Sequence, residues 1–137
     1  MNDAITWIGH ATALVEVAGR RVVTDPVLTD RVGHLRRRRP LRVDANAFAR
    51  LDAVLVSHVH MDHLHTRSLR ALDRSAVLVV PRGAARVVAK LGYADVVEMG
   101  AGERLELDGL TIRAVPARHP RRRGPHTSVE ADPLGYV

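Results

Sequence analysis

Apolar and polar positions alternate with period two along the start of the chain. Ala4 to Ile8, Ala13 to Val17 and Arg21 to Thr24 have the β-branched content of an antiparallel meander, with Ala18-Gly19 as the second turn. Leu51 to Ser57 is different. Its Ala53-Val54-Leu55-Val56 is a continuous apolar run, as expected of a strand covered on both faces. Val77-Leu78-Val79-Val80 repeats that pattern, and Val96-Val97-Glu98 is a shorter strand. Helical spacing places Thr66 to Asp73 on one helix, with Leu69 and Leu72 inward. A second helix runs from Gly83 to Leu91, with Val87, Val88 and Leu91 as its stripe and Gly92 as its terminator. Glu103 to Leu107 and Leu110 to Val115 flank Asp108-Gly109, a hairpin turn signal. Val27 to Val43 shows no sustained period, and Pro40 argues against a helix there. Asp44 suits the cap of a short helix ending near Arg50, with Ala45, Phe48 and Ala49 inward. This order predicts a single α/β sandwich domain.

Chemistry enters where the first buried strand ends. His58-Val59-His60-Met61-Asp62-His63 offers four metal-ligating side chains in six positions, at the carboxyl edge where α/β sheets place their sites. Imidazole with carboxylate suits zinc, manganese or iron, and a tight loop can aim alternate side chains at two ions. A histidine-rich surface turn would carry the same residues, but this ligand density directly after a core strand favours a metal site. His10 and Asp25 also stand at strand ends. Each is either an outer partner that orients a ligand or a plain turn residue, and spacing leaves both readings open.

Composition narrows the partners. In 137 residues, 46% apolar content is enough for one buried core. No cysteine is present, so disulfides and thiolate metal sites are excluded. The net charge is +6 and Lys90 is the only lysine. An aromatic content of 3% leaves few platforms for stacking bases, which disfavours nucleic acid as a partner. No apolar run is long enough to suggest a transmembrane segment, and the first residues lack the basic and apolar regions of a signal peptide. The expected location is the cytoplasm.

The motif residues carry a family resemblance. His58-x-His60-x-Asp62-His63 resembles the H-x-H-x-D-H signature of the metallo-β-lactamase superfamily. Trp7-Ile8-Gly9-His10-Ala11-Thr12, Thr24-Asp25-Pro26 and Pro116-Ala117-Arg118-His119 resemble segments around the site in the branch with the L-ascorbate-6-phosphate lactonases and the N-acylphosphatidylethanolamine phospholipases D. The similarity keeps the family's order over nearly the whole chain. It implies an αββα sandwich, of which residues 1–137 would form a partial domain: the first half plus the start of the second. It implies a metal-dependent hydrolase that directs a metal-activated hydroxide at an ester, lactone or phosphodiester of an anionic small-molecule or lipid substrate. His58, His60 and His119 would hold one ion, a three-histidine set that leaves a position open for water. Asp62 and His63 would serve a second ion, with Asp62 also catalytic, while His10 and Asp25 would orient ligands from behind. Zinc is the expected metal, one ion or two, with manganese or iron compatible. Met61 and His65 depart from the aromatic and acidic residues of many relatives, which bears on substrate fit.

The resemblance also implies an incomplete site. The family's bridging aspartate and its further histidine lie beyond the segment matching Leu134-Gly135-Tyr136-Val137. The expectation is an apolar sheet face and an unpaired edge, completed by a C-terminal half, another chain or a further copy in an oligomer, and a poor catalyst as an isolated monomer.

Two arginine clusters remain. Arg36-Arg37-Arg38-Arg39 reads as a solvated loop or as a loop bringing positive charge to an anionic substrate. Arg121, Arg122 and Arg123, just past His119, read as substrate-binding residues or as a basic surface loop. Together they allow a second function class, a non-catalytic basic module that binds nucleic acid or an anionic surface. Salt sensitivity without chelator sensitivity would mark it.

Overall fold

The computed structural model describes residues 2–137, and the side chain of Ala45, expected on the inner face of its helix, lies outside what is described. Three antiparallel strands open the chain: β1 (Ala4–Gly9), β2 (Thr12–Val17) and β3 (Arg20–Thr24). The sheet then turns parallel through β6 (Ala53–Leu55), β7 (Val77–Pro81) and β8 (Val96–Met99), giving the order β1-β2-β3-β6-β7-β8. Parallel neighbours need crossovers. β6 reaches β7 through the histidine loop and α1 (Thr66–Ala71), and β7 reaches β8 through α2 (Ala85–Val88). Between β3 and β6 lie a small hairpin, β4 (Arg31–Val32) with β5 (Leu35–Arg36), and a 3-10 turn, η1 (Ala45–Phe48). A second, antiparallel sheet consists of β9 (Arg104–Leu107), β10 (Leu110–Pro116) and β11 (Leu134–Tyr136), in the order β11-β10-β9.

The continuous apolar runs are continuous because each face of the main sheet has its own core. Val54, Val56, Leu78 and Val80 point to the helical side, where Phe48, Leu64, Leu69, Leu72, Val88 and Leu91 pack on them. Ala53, Leu55 and Val79 point the other way, against Ile112, Ala114 and Leu134 of the second sheet. The result is one helical layer, a mixed sheet and a second sheet: the architecture of an αββα sandwich without its outer helical layer. Tyr136 closes the join, since its hydroxyl donates to the Val56 carbonyl at 2.8 Å, and burial raises its pKa.

One part of the main sheet stays open. β1 is an edge strand, and its Ile5 and Trp7 are 76% and 74% exposed. Thr6 pairs with Leu14, which belongs to the helical-side core, so Ile5 and Trp7 lie on the opposite face. Ile5 and Trp7 thus form a small exposed apolar patch beside the free edge of β1. Among the described residues no helix is long and apolar enough to cross a membrane.

The structure differs from the expected elements in several places, and β11 is one strand that was not expected. β4 and β5 were not expected, because two-residue strands around a Gly33 turn (φ +57°) leave no periodic trace. The helix after Asp44 is a single 3-10 turn, although its cap forms as expected, with Asp44 accepting from Asn46 N at 2.9 Å. α2 is one turn instead of nine residues: Gly83 (φ +94°) still belongs to the connection, and the helix ends at Val88.

Leu78 is fully buried in the helical-side core. Leu78→Ala is expected to cost about 2–5 kcal/mol of stability. The measurement is a lower urea midpoint with an unchanged slope.

Candidate metal centre

The histidine loop is pinned from within. Val59 and Leu64, both fully buried, act as apolar pegs on the helical side and leave the polar residues between them outside. His63 N and Leu64 N both donate to the His60 carbonyl, at 3.0 and 2.8 Å, which folds the segment into a tight turn. The inward carbonyls of Val59 and Leu64 then need donors. Arg123 supplies both through Nη1, at 2.7 and 3.0 Å.

Three histidines converge above this turn. The ligand atoms of His58, His60 and His119 all lie within 4.8 Å of one another, and His119 Nε2 stands 3.0 Å from His60 Nδ1. The His58 ring contacts the other two edge-on, with centroids 4.8 and 4.4 Å away. Its Nδ1 lies 2.8 Å from Ser57 Oγ, while its Nε2 is buried with no hydrogen-bond partner among the described residues. A buried imidazole nitrogen without a partner is costly. Next to two more imidazole nitrogens, it fits one corner of an ion's ligand set. Burial, followed by the charge of His63, lowers the His58 pKa to about 4. His58 is therefore neutral at physiological pH, as a ligand must be.

Beside this set, His10, Asp62 and His63 form another. His10 Nε2 lies 2.9 Å and His63 Nε2 3.6 Å from Asp62 Oδ2. His63 Nδ1 faces Asp25 Oδ2 at 2.9 Å. Burial alone would lower the His63 pKa, but the Asp25 hydrogen bond and the Asp25 and Asp62 charges outweigh it, so the pKa is raised. Burial acts against the Asp62 carboxylate too, and His63, a backbone hydrogen bond and His10 outweigh it, so that pKa is lowered. Asp25 itself is buried, and it also accepts from Ser57 N at 2.7 Å and Ser57 Oγ at 2.6 Å.

The sequence-derived residues thus fall into groups. His58, His60 and His119 come together, and Asp62 and His63 stand beside them. Asp25 sits behind His63 and Ser57. His10 faces Asp62, itself one of the expected ligands, at 2.9 Å. The three arginines past His119 do not act alike. Arg121 pairs with Asp132 at 2.6 Å and Arg122 with Glu130 at 3.0 Å, both at the surface, while Arg123 turns inward onto the histidine loop. Ser57 and the bracing role of Arg123 were missed. The signal for Ser57 was a hydroxyl between the core strand and the first histidine, and for Arg123 there was none, since it stands in a run of identical neighbours. His65 finds a partner in Ser68, with Nδ1 2.7 Å from Oγ.

Known proteins share this arrangement of chain. A family model described as the beta-lactamase superfamily domain matches residues 20–137. The chain is 35% identical over 136 residues to N-acyl-phosphatidylethanolamine-hydrolyzing phospholipase D 1 of Caenorhabditis elegans, covering 87% of this chain and 38% of that protein. It is 35% identical over 135 residues to a metal-dependent hydrolase of Methanopyrus kandleri, covering 97% and 55%. Among solved structures, a possible metal-dependent hydrolase from Veillonella parvula superposes with a TM-score of 0.76 at 20% identity, covering 99% of this chain and 57% of that one. The chain thus spans between 38% and 57% of the length of these proteins.

Asp25→Asn keeps the shape of the side chain but exchanges one accepting oxygen for a donor facing Ser57 or His63. Zinc affinity is expected to fall about 10–100-fold, as for other lost outer-shell partners. Calorimetric titration with zinc checks this, with far-UV circular dichroism showing that the fold is kept.

Proposed function

The chain belongs to the beta-lactamase superfamily domain family, and on that premise we propose that it carries the metal-binding part of a hydrolase acting on an ester, lactone or phosphodiester of an anionic substrate. The observation that carries the reading is the buried, unpartnered Nε2 of His58 within reach of His60 and His119. The donor set is all nitrogen and carboxylate, which suits zinc, with manganese or iron also compatible. A divalent ion bound there would supply a water activated near neutral pH and polarise the substrate's oxygen.

The chain's own residues do the rest. His58, His60 and His119 present three nitrogens on one side and leave the outer side free. Ser57 and Asp25 hold the His58 and His63 rings in orientation through their Nδ1 atoms. Asp62, partly exposed and held ionised by His63, a backbone hydrogen bond and His10, would take up a proton during the reaction.

Substrate charge is read from a groove beside the site. It measures about 720 Å³ and is lined by His10, Trp7 and Ile8 on one side and by Arg37, Arg38, Arg39 and Arg42 on the other. Arg37 is spent on the Val27 and Thr29 carbonyls. Arg38 and Arg39 have no side-chain hydrogen bond or ion pair among the described residues and are exposed. An anionic group bound there would lie next to His10, with Trp7 and Ile8 alongside. The relative from Caenorhabditis elegans is named for a phospholipid, and a headgroup with an acyl chain has that combination of charge and apolar surface. The basic-module reading is not favoured, because the second arginine cluster is internally paired.

Zinc retained through gel filtration at one or more equivalents, and released by chelator and by His58→Ala, is the expected result. Chelator-sensitive hydrolysis of a lactone or an activated phosphodiester checks the chemistry. A chain that retains no divalent metal would defeat the proposal.

Arg38→Gln with Arg39→Gln is expected to raise the Michaelis constant for a phosphate-bearing ester at least tenfold, and that for a neutral ester little. Steady-state kinetics on the two substrates distinguish this from a merely solvated loop, which would leave both unchanged.

A further inference from the structure

His10 faces Asp62 directly, with Nε2 2.9 Å from Oδ2. It stands in the turn between β1 and β2 with φ +54°, a left-handed backbone that non-glycine residues seldom adopt and that clusters at functional sites. Three local features hold it there. The β1–β2 register shifts between Trp7 and Gly9, a bulge of the kind that re-aims a side chain. Gly9 has φ +144°, a backbone that side-chain-bearing residues rarely adopt, and passes close to the Arg37 guanidinium. Trp7 Nε1 donates to the His10 carbonyl at 3.0 Å and closes the turn. All this sets one imidazole over Asp62.

The spacing of the three groups admits an ion as well as a hydrogen bond. Two ligands of a tetrahedral ion with bonds of about 2.0–2.1 Å stand about 3.3 Å apart. His10 Nε2 and His63 Nε2 lie 2.9 and 3.6 Å from Asp62 Oδ2, on either side of that value. All three ligand atoms lie within 4.8 Å of one another. His63 has its Nδ1 on Asp25, which leaves its Nε2 free to face the other two. The same relation holds in the first set, where His60 and His119 nitrogens stand 3.0 Å apart.

We propose that His10 is a metal ligand, completing with Asp62 and His63 a second three-ligand set, so that this chain alone offers three protein ligands to each of two ions. The inference rests on the metal-centre reading above. It alters the expectation that the second ion would find only Asp62 and His63 in this segment. A third ligand from an edge-strand turn would fix an ion that otherwise had two.

The test uses the 137-residue chain, with zinc and then cobalt as the only probes. Equilibrium dialysis with elemental analysis counts the ions, and the visible spectrum of cobalt reports each site's coordination. The wild-type chain should bind two equivalents. His10→Ala and His10→Gln should both keep the first with near-unchanged affinity and weaken the second more than about 100-fold, beyond the 10–100-fold typical of an outer partner. The glutamine variant is decisive, because its amide can still donate to Asp62 but replaces the imidazole. If it restores the second equivalent with an unchanged cobalt spectrum, His10 is only a hydrogen-bond partner and the inference is overturned. A wild-type chain holding one equivalent overturns it too, while leaving the first site standing. A chain that holds none overturns the metal-centre reading itself.

Discussion

A carboxylate buried at the end of a strand is destabilising unless its lone pairs find donors, and the way Asp25 meets that demand sets the geometry around it. Its oxygens accept from Ser57 N, Ser57 Oγ and His63 Nδ1. One residue therefore ties the end of β3 to the end of β6 and to the far side of the histidine loop. The parallel register makes this possible, since Thr24 lies opposite Leu55 and both chains reach the carboxyl edge together. A slip of one residue would turn Val54 and Leu55 to the wrong cores and separate Asp25 from Ser57. Asp25 holds this position at φ +37°, a conformation the surrounding hydrogen bonds must sustain.

Around that point, arginine acts as a brace more than as a surface charge. Arg123 serves the carbonyls that flank the histidine loop, and Arg37 serves those of Val27 and Thr29 beneath the arginine-rich loop. Arg21 reaches the carbonyls of Ala47 and Ala49 at the end of η1 and the carboxylate of Glu16. Arg20 bridges to Asp52 and to the Asp108 carbonyl, linking the first hairpin to the second sheet. A planar guanidinium with five donors can satisfy several loop acceptors at once, which one lysine cannot. Loops with little apolar content are thereby held without a larger core.

The site nevertheless draws on the least covered part of the fold. His10 comes from the turn beside β1, whose Ile5 and Trp7 face solvent. Its placement depends on a bulge, a glycine and one indole hydrogen bond rather than on packing. His119 likewise follows the end of β10 on an exposed segment, steadied by Ala117 N donating to the Pro133 carbonyl at 3.2 Å and by Arg123 four residues on. The buried half of the centre, His58 with Ser57 and Asp25, is the rigid half. His10 and His119 are the exposed half.

How much could be read without coordinates follows from the range of each interaction. The continuous runs at Val54 and Leu78 identified strands covered on both faces, and those strands form the centre of the sheet. The histidine loop was legible because its ligands are neighbours in sequence and follow a core strand. The turn at Asp108-Gly109 and the cap at Asp44 were legible for the same reason, being set by residues next to each other. The contacts that turn a motif into a centre are not local: Asp25 to His63, His10 to Asp62 and His60 to His119 span 38, 52 and 59 residues. Which arginine of three equal neighbours turns inward, and which nitrogen of His58 is left unpartnered, are likewise outcomes of packing. Sequence alone determined which residues could bind a metal and which strands would be buried. Only the tertiary structure decided which of those residues meet, because side-chain directions at the carboxyl edge depend on the register of β3 against β6 and on where the second sheet docks.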